Sequence, residues 1–347
     1  MWHLKGVLPM EFTACRPYAG DLAQLFEVRE FTFCGGRATG TRGILIANGA
    51  GMELTLLPDR ALDLYSLKYG GRNLGYLAPA GVVAPAYYDR HGDNWLKSYG
   101  GGFLATCGLS NIGRPCEDEG EVLGLHGELA NTPAEQLSVS VAMVNGAPVA
   151  TISGTMRTAA LFGGNLSLRR TVAVGWGINE VSITDVICNE GFTTRPYQTL
   201  YHFNMGYPLL SETARLSLPS LCTTPRDAHA AKFLQSCLQV TPPADGYEEL
   251  CYYHDLAADE TGFATASIEN PAQHLAARIR FDKRALDHFV QWKMFGKGDY
   301  ALGLEPCNST IDGRADARAN GSLKFLAPGA SVTHRLSVSV GDALPTT

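Results

Sequence analysis

The chain has 347 residues, of which 45% are hydrophobic and 18% charged, with a formal net charge of −6 and no basic run. That balance supports a packed core, excludes wholesale disorder and leaves no electrostatic footprint for nucleic acid. No stretch of about 18 apolar residues occurs, so no membrane span is expected, and 38 glycines without a three-residue period exclude collagen and suit a chain full of turns.

From the start of the chain, Met1–Gly20 lacks a basic region followed by an apolar core, the pattern of a secretory leader. Residues 1–40 read as a lead-in of strands, and 41–342 as one large antiparallel assembly. No linker or 20–50-residue repeat divides them, so 1–347 is expected to be a single domain. Met52, Leu54 and Leu56 alternate with Glu53 and Thr55. The same period of two recurs at Leu166–Val174, at Val181 and Ile183 before Asp185 interrupts it, and at Val332–Val340. Such alternation marks strands with one face in a core. Asn48-Gly49, Asn145-Gly146 and Asn320-Gly321 lie between strand-like runs and predict hairpin turns. Helical patterns are few: Asp227–Cys237 suits a short helix, and Leu286–Trp292 fits helix or strand. There is no βαβ alternation and no glycine-rich phosphate loop, so the expected fold is all-β, a large antiparallel β-sandwich with few short helices.

The nine cysteines are an odd number without CxxC or zinc spacing, which predicts free thiols and a reducing, cytoplasmic setting rather than a disulfide framework. No GxSxG elbow is present. Cys107 has no neighbour that would activate it and reads as a small strand residue, and Glu117-Asp118-Glu119 reads as a solvated loop.

Polar groups gather among glycines and aromatics in four places: 57–63, 100–134, 201–208 and 300–308. Glu305 follows the apolar run Ala301–Leu304, where desolvation would raise its pKa toward that of a general base; a structural, ion-paired carboxylate is the competing reading. His202, between Tyr201 and Phe203, suits a general acid or a half-buried structural histidine. His126 stands before Gly127, which allows close approach of backbone or ligand. No HExxH or HxH spacing supports a metal, and none is expected. Tyr87, Tyr88, Trp95, Tyr99, Tyr207, Trp292 and Tyr300 fall at or near these segments and could stack on the apolar face of a sugar as well as fill a core.

Taken in order, Gly-Gly-Phe-Leu-Ala-Thr-Cys-Gly-Leu (101–109), Gly-Leu-His-Gly-Glu-Leu-Ala-Asn-Thr-Pro-Ala (124–134), His-Phe-Asn-Met-Gly-Tyr-Pro (202–208) and Gly-Leu-Glu-Pro-Cys-Asn (303–308) resemble the aldose 1-epimerase, or galactose mutarotase, superfamily, and within it the DUF4432 branch. The resemblance spans roughly Leu57–Val340. It implies a galactose mutarotase-like supersandwich, with His202 as general acid, Glu305 as general base and His126 contacting the sugar, and no metal or organic cofactor. The superfamily's Asn-Arg pair is replaced here by Thr106-Cys107, so Arg60 or Arg114 is expected to take its place, and Gly127-Glu128 stands where Gly-Gly is usual. Asp255 is loosely matched to an aspartate that binds hydroxyls; Lys293 and Asn204 are further substrate-binding candidates.

The implied function is interconversion of the α and β anomers of a free aldose by acid/base ring opening. A sugar-binding or regulatory protein without turnover, and a sugar epimerase or hydrolase on the same scaffold, stay open. The expected partner is a small-molecule carbohydrate rather than nucleic acid or membrane, and a homodimer is compatible with the sequence.

Overall fold

In a computed structural model, residues 11–343 are described. About half of the residues are strand and about 12% helix, as the period-two runs predict. An eight-stranded antiparallel sheet runs, in spatial order, Glu135–Val144, Ala147–Ala159, Asn165–Gly175, Glu180–Asn189, Ser331–Gly341, Leu275–Asp282, Phe263–Asn270 and Arg215–Ser217. A seven-stranded sheet carries Ser220–Pro225, Leu250–Leu256, His288–Phe295, Tyr300–Cys307, Arg195–Met205 and Lys324–Leu326, with Leu104–Leu109 also paired to Arg195–Met205. A five-stranded sheet, from Glu27–Thr32 to Arg72–Asn73, completes the frame. One apolar core joins all three: Ile152, Leu168 and Val338 from the first, Tyr201, Phe203 and Leu304 from the second, Leu54 and Leu64 from the third. This is the expected antiparallel β-sandwich.

Charge is buried where the sheets meet. Arg170 is fully buried and bonds Asp185 through Nε (2.9 Å) and Nη2 (2.7 Å), Asp63 through Nη1 (2.6 Å) and Thr106 through Nη2 (2.9 Å). Tyr201 donates to Asp185 at 2.7 Å. The polar residues that interrupt the alternation, Arg170 and Asp185, are therefore cross-strand partners in the core.

Asn145-Gly146 forms the predicted hairpin, both residues having positive φ (50° and 84°) as a two-residue turn needs. Asn48-Gly49 also links two paired strands. Asn320-Gly321 instead closes the helix Arg314–Asn320, with Gly321 at φ 82° as its left-handed cap; its alternating neighbours hid the helix. Within the expected lead-in, residues 1–10 lie outside the described residues, 11–24 hold helical turns, and only Glu27–Thr32 is a strand. His288–Phe295 settles the ambiguous segment as strand, and a helical turn, Ala228–Ala231, is capped by Asp227. Asp118 is buried rather than solvated, because Arg314 and Arg318 both bond its carboxylate. The cysteines are free, and among the described residues no helix is long and apolar enough to cross a membrane.

Candidate functional site

The strand Arg195–Met205 is buried on both faces. Successive side chains point oppositely, so Tyr201, Phe203 and Met205 enter the main core while Leu200 and His202 face away from it. On that outer side Leu200 stands opposite Cys307, and Val290 opposite Glu305. The same alternation thus sends His202 and Glu305 out on one face of the seven-stranded sheet. Loops carrying Tyr76, Trp95, Tyr99, Arg114 and His126 wall this face and enclose a cavity of about 750 Å³, into which Arg226, Glu249 and Trp292 also project.

Nε2 of His202 lies 3.3 Å from Oε1 of Glu305. Oε1 has no aligned hydrogen bond within the protein, nor has Nδ1 of His202. Both members of the pair are shifted toward their neutral forms. Burial, then the nearby Glu249, pushes the Glu305 carboxyl well above its usual range, and burial, then His126, lowers His202 to about 3. Glu305 also depends on Gly303, the next residue on the same face: a Cβ there would stand 2.0 Å from Oε1 and 3.1 Å from the Trp292 Cβ.

His126 sits in a left-handed backbone conformation, φ 58°. Its N–H donates to Gly113 O, and its Nδ1 accepts from Gly113 N–H at 3.3 Å. That fixes the neutral tautomer with hydrogen on Nε2. Its ring is 5.8 Å from His202 and 4.8 Å from Trp95, and burial lowers its pKa to about 4. Gly127 cannot carry a side chain, since a Cβ would meet Gly108 O at 2.6 Å. Trp95 stacks on Tyr99 (4.6 Å between centroids), and Trp292 meets His202 edge-on at 5.5 Å. The Tyr99 hydroxyl is buried without a hydrogen-bond partner.

Two charged groups in the cavity have no sequence pattern of their own. Nη2 of Arg226 bonds Glu249 at 3.1 Å, and Glu249 accepts from Trp292 Nε1 at 2.8 Å. Arg114 and Arg226 both approach Asp312, at 3.4 and 4.0 Å. The acid–base pair, a neutral histidine donor, aromatic faces and this arginine–carboxylate couple together can bind a polyol and move protons on it.

His126, His202 and Glu305 therefore share one cavity, and the other four candidates do not line it. Arg60 is buried behind the wall, donating to the carbonyls of Ala130, Val83 and Ser98 at 2.6–3.0 Å; burial lowers its pKa to about 10. Lys293 points opposite to Trp292 and donates to the carbonyls of Ser236 and Gln239, with burial lowering it to about 8. Asp255 is exposed and pairs with Lys283 at 2.5 Å. Asn204 is fully buried, its amide bonded to the carbonyls of Gly102 and His202. Of the stacking candidates, Trp95, Tyr99 and Trp292 line the cavity; Tyr87 and Tyr207 are exposed. Among the described residues no three His, Cys, Asp or Glu side chains gather closely enough to hold a metal ion.

The fold is galactose mutarotase-like. A candidate aldose 1-epimerase from Klebsiella pneumoniae is 28% identical, with a TM-score of 0.88 over 93% of this chain and 86% of that one. A galactose mutarotase-like protein from Clostridium acetobutylicum shares the fold at 12% identity (TM-score 0.62, covering 92% and 99%). So does galactose 1-epimerase from Lactobacillus acidophilus, at 11% identity (TM-score 0.60, covering 92% and 100%). No curated protein matches the chain. The sequence profile of a domain of unknown function, DUF4432, matches residues 38–340, and the chain belongs to that family.

Proposed function

We propose that the protein interconverts the α and β anomers of a free aldose, with Glu305 and His202 exchanging roles as base and acid. The observation that carries this reading is the 3.3 Å approach of His202 Nε2 to Glu305 Oε1 in an aromatic cavity beside His126. The raised carboxyl and lowered imidazole favour a proton on Glu305 over one on His202 before sugar binds. A bound sugar whose C1 hydroxyl donates to Glu305 and whose ring oxygen accepts from His202 favours the charged forms and draws that proton across to His202. The carboxylate then removes the C1 hydroxyl proton, the imidazolium protonates the ring oxygen, and the C1–O bond breaks to give the aldehyde. Glu305 is again the acid and His202 again neutral, so the empty site has the proton distribution of the open-chain state. Rotation about C1–C2 and closure on the other carbonyl face reverse both transfers. His126 Nε2–H, Arg226 and Glu249 hold hydroxyls, and Trp95, Tyr99 and Trp292 exclude water.

General acid–base groups contribute roughly 10²–10⁴-fold each. His202→Ala and Glu305→Gln should therefore cut anomerisation at least 100-fold, followed by NMR across a panel of pentoses, hexoses and sugar acids. Unchanged rates in both variants overturn the assignment. The wild-type rate should persist at pH 5, where a free imidazole of pKa about 6.5 would already be charged, because only a second proton on the His202–Glu305 pair stops the cycle. Calorimetric binding with no rate gain would favour the sugar-binding reading. Release of aglycone from glycosides would favour hydrolysis, for which Glu249 supplies a second carboxylate in the same cavity.

A further inference from the structure

We infer that the strand Glu135–Val144 is the interface between two copies of this chain, pairing antiparallel with its own counterpart across a two-fold axis. It ends the eight-stranded sheet, and among the described residues its one strand neighbour is Ala147–Ala159, so a row of its backbone N–H and C=O groups faces away from the sheet. Natural sheet edges are usually short or blunted by lysine, proline or inward charge. This one has ten residues, EQLSVSVAMV; its one charge, Glu135, and its one bulge, at Gln136, lie at the first positions, and the seven residues from Ser138 to Val144 pair regularly. Val141, Met143 and Val144 are 43%, 58% and 48% exposed.

The strand's faces fix how a second copy fits. Val139 stands opposite Ile152 and Val141 opposite Ala150, both fully buried, so the odd-numbered residues lie on the core side. Leu137 and Val139 pack on the main core, and Val141 and Met143 run on beyond it. A two-fold axis perpendicular to the sheet keeps both core sides together, which requires paired positions to share parity. The edge is irregular at its start, where Gln136 is left-handed (φ 51°) and the pairing with Ala147–Ala159 shifts between Glu135 and Ser138; the register that pairs all four core-side residues, Leu137, Val139, Val141 and Met143, is centred on Ser140. It sets Val139 against Val141 of the second copy and Leu137 against its Met143, covering the exposed apolar side chains.

Charge agrees with this partner and direction, and Glu135 already has Arg157 of its own chain 3.8 Å away. Antiparallel pairing brings Glu135 to the Val144 end of the second copy, where Arg16 and Met143 border an open groove of about 570 Å³. The two Glu135 residues then sit about 34 Å apart at 3.4 Å per residue, whereas parallel pairing would place them side by side.

Sedimentation equilibrium should give twice 37.3 kDa for the wild type, and a mass of 37.3 kDa with an unchanged melting temperature for the Val141→Lys/Met143→Lys double variant. The register has its own readout. Facing Ser140 residues have Cα atoms about 4.5–5.5 Å apart, so Ser140→Cys should form an interchain disulfide under mild oxidation. Ala142→Cys should not, because its two copies lie about 13 Å apart along the strands, beyond the roughly 7 Å limit for a disulfide. Wild type oxidised in parallel accounts for the native thiols. A wild-type mass of 37.3 kDa at every concentration, a double variant that stays dimeric, or cross-linking at 142 in place of 140 overturns the proposal.

Discussion

At the scale of single residues, the candidate site depends on an absence as much as on side chains. Gly303 leaves the space that the Glu305 carboxyl occupies, so Gly303→Ala sets a methyl group 2.0 Å from Oε1. The carboxyl is the free end of a flexible chain and can swing aside, which limits the cost of this overpacking to about 1–3 kcal/mol of stability. A displacement near 1 Å at a reacting group costs on the order of 100-fold in rate. The expected outcome is a folded variant with at least 100-fold slower anomerisation, checked by thermal melting and NMR exchange on the same sample. His126, His202 and Glu305 were legible in the sequence because each sits in a short segment of fixed order. Arg226 and Glu249 were not. They flank one end of a strand pair with no recurring spacing, and only the folded sheet brings them 3.1 Å apart.

At the scale of elements, alternation was legible and its phase was only partly so. Adjacent residues on a strand face opposite sides, so Trp292 and Lys293 were never able to share a cavity wall, and that much was available from the sequence. Asp255 has the parity of Cys251, which lines the cavity, but four residues carry it about 13 Å further along the strand. No pattern in the sequence marks where the cavity ends. Arg60 is a fastener between elements: one guanidinium ties the carbonyls of Val83, Ser98 and Ala130 and so holds the loop bearing Trp95 and Tyr99. Arg60→Leu leaves those buried acceptors unpaired at about 1–3 kcal/mol each. It should lower stability by about 3 kcal/mol or more in urea titration and weaken sugar binding by calorimetry, although Arg60 lies outside the cavity.

At the scale of the whole molecule, buried histidines set the response to acid. Burial lowers His202 to about 3 and His126 and His334 to about 4, and lowers His254 as well. The unfolded chain takes up these protons near pH 6.5 while the fold refuses them, so stability is lost as pH falls from about 6.5 toward 4. Glu305 and Glu128, both raised by burial, act in the opposite sense by keeping protons in the fold, but the histidines outnumber them. The melting temperature should therefore fall between pH 7 and pH 5, and His334→Gln should flatten that slope in calorimetric scans. The Arg170 cluster adds a consequence for how the chain comes apart. Its guanidinium is neutralised by Asp63 from one sheet and Asp185 from another, and touches Thr106 from the third. The five- and eight-stranded sheets cannot part while the site stays dry, because that would separate the Asp63 carboxylate from its guanidinium in oil-like surroundings, and loss of the seven-stranded sheet would leave Arg170 without Thr106. Partly opened forms are thereby penalised, and the three sheets are bound to melt in a single cooperative event.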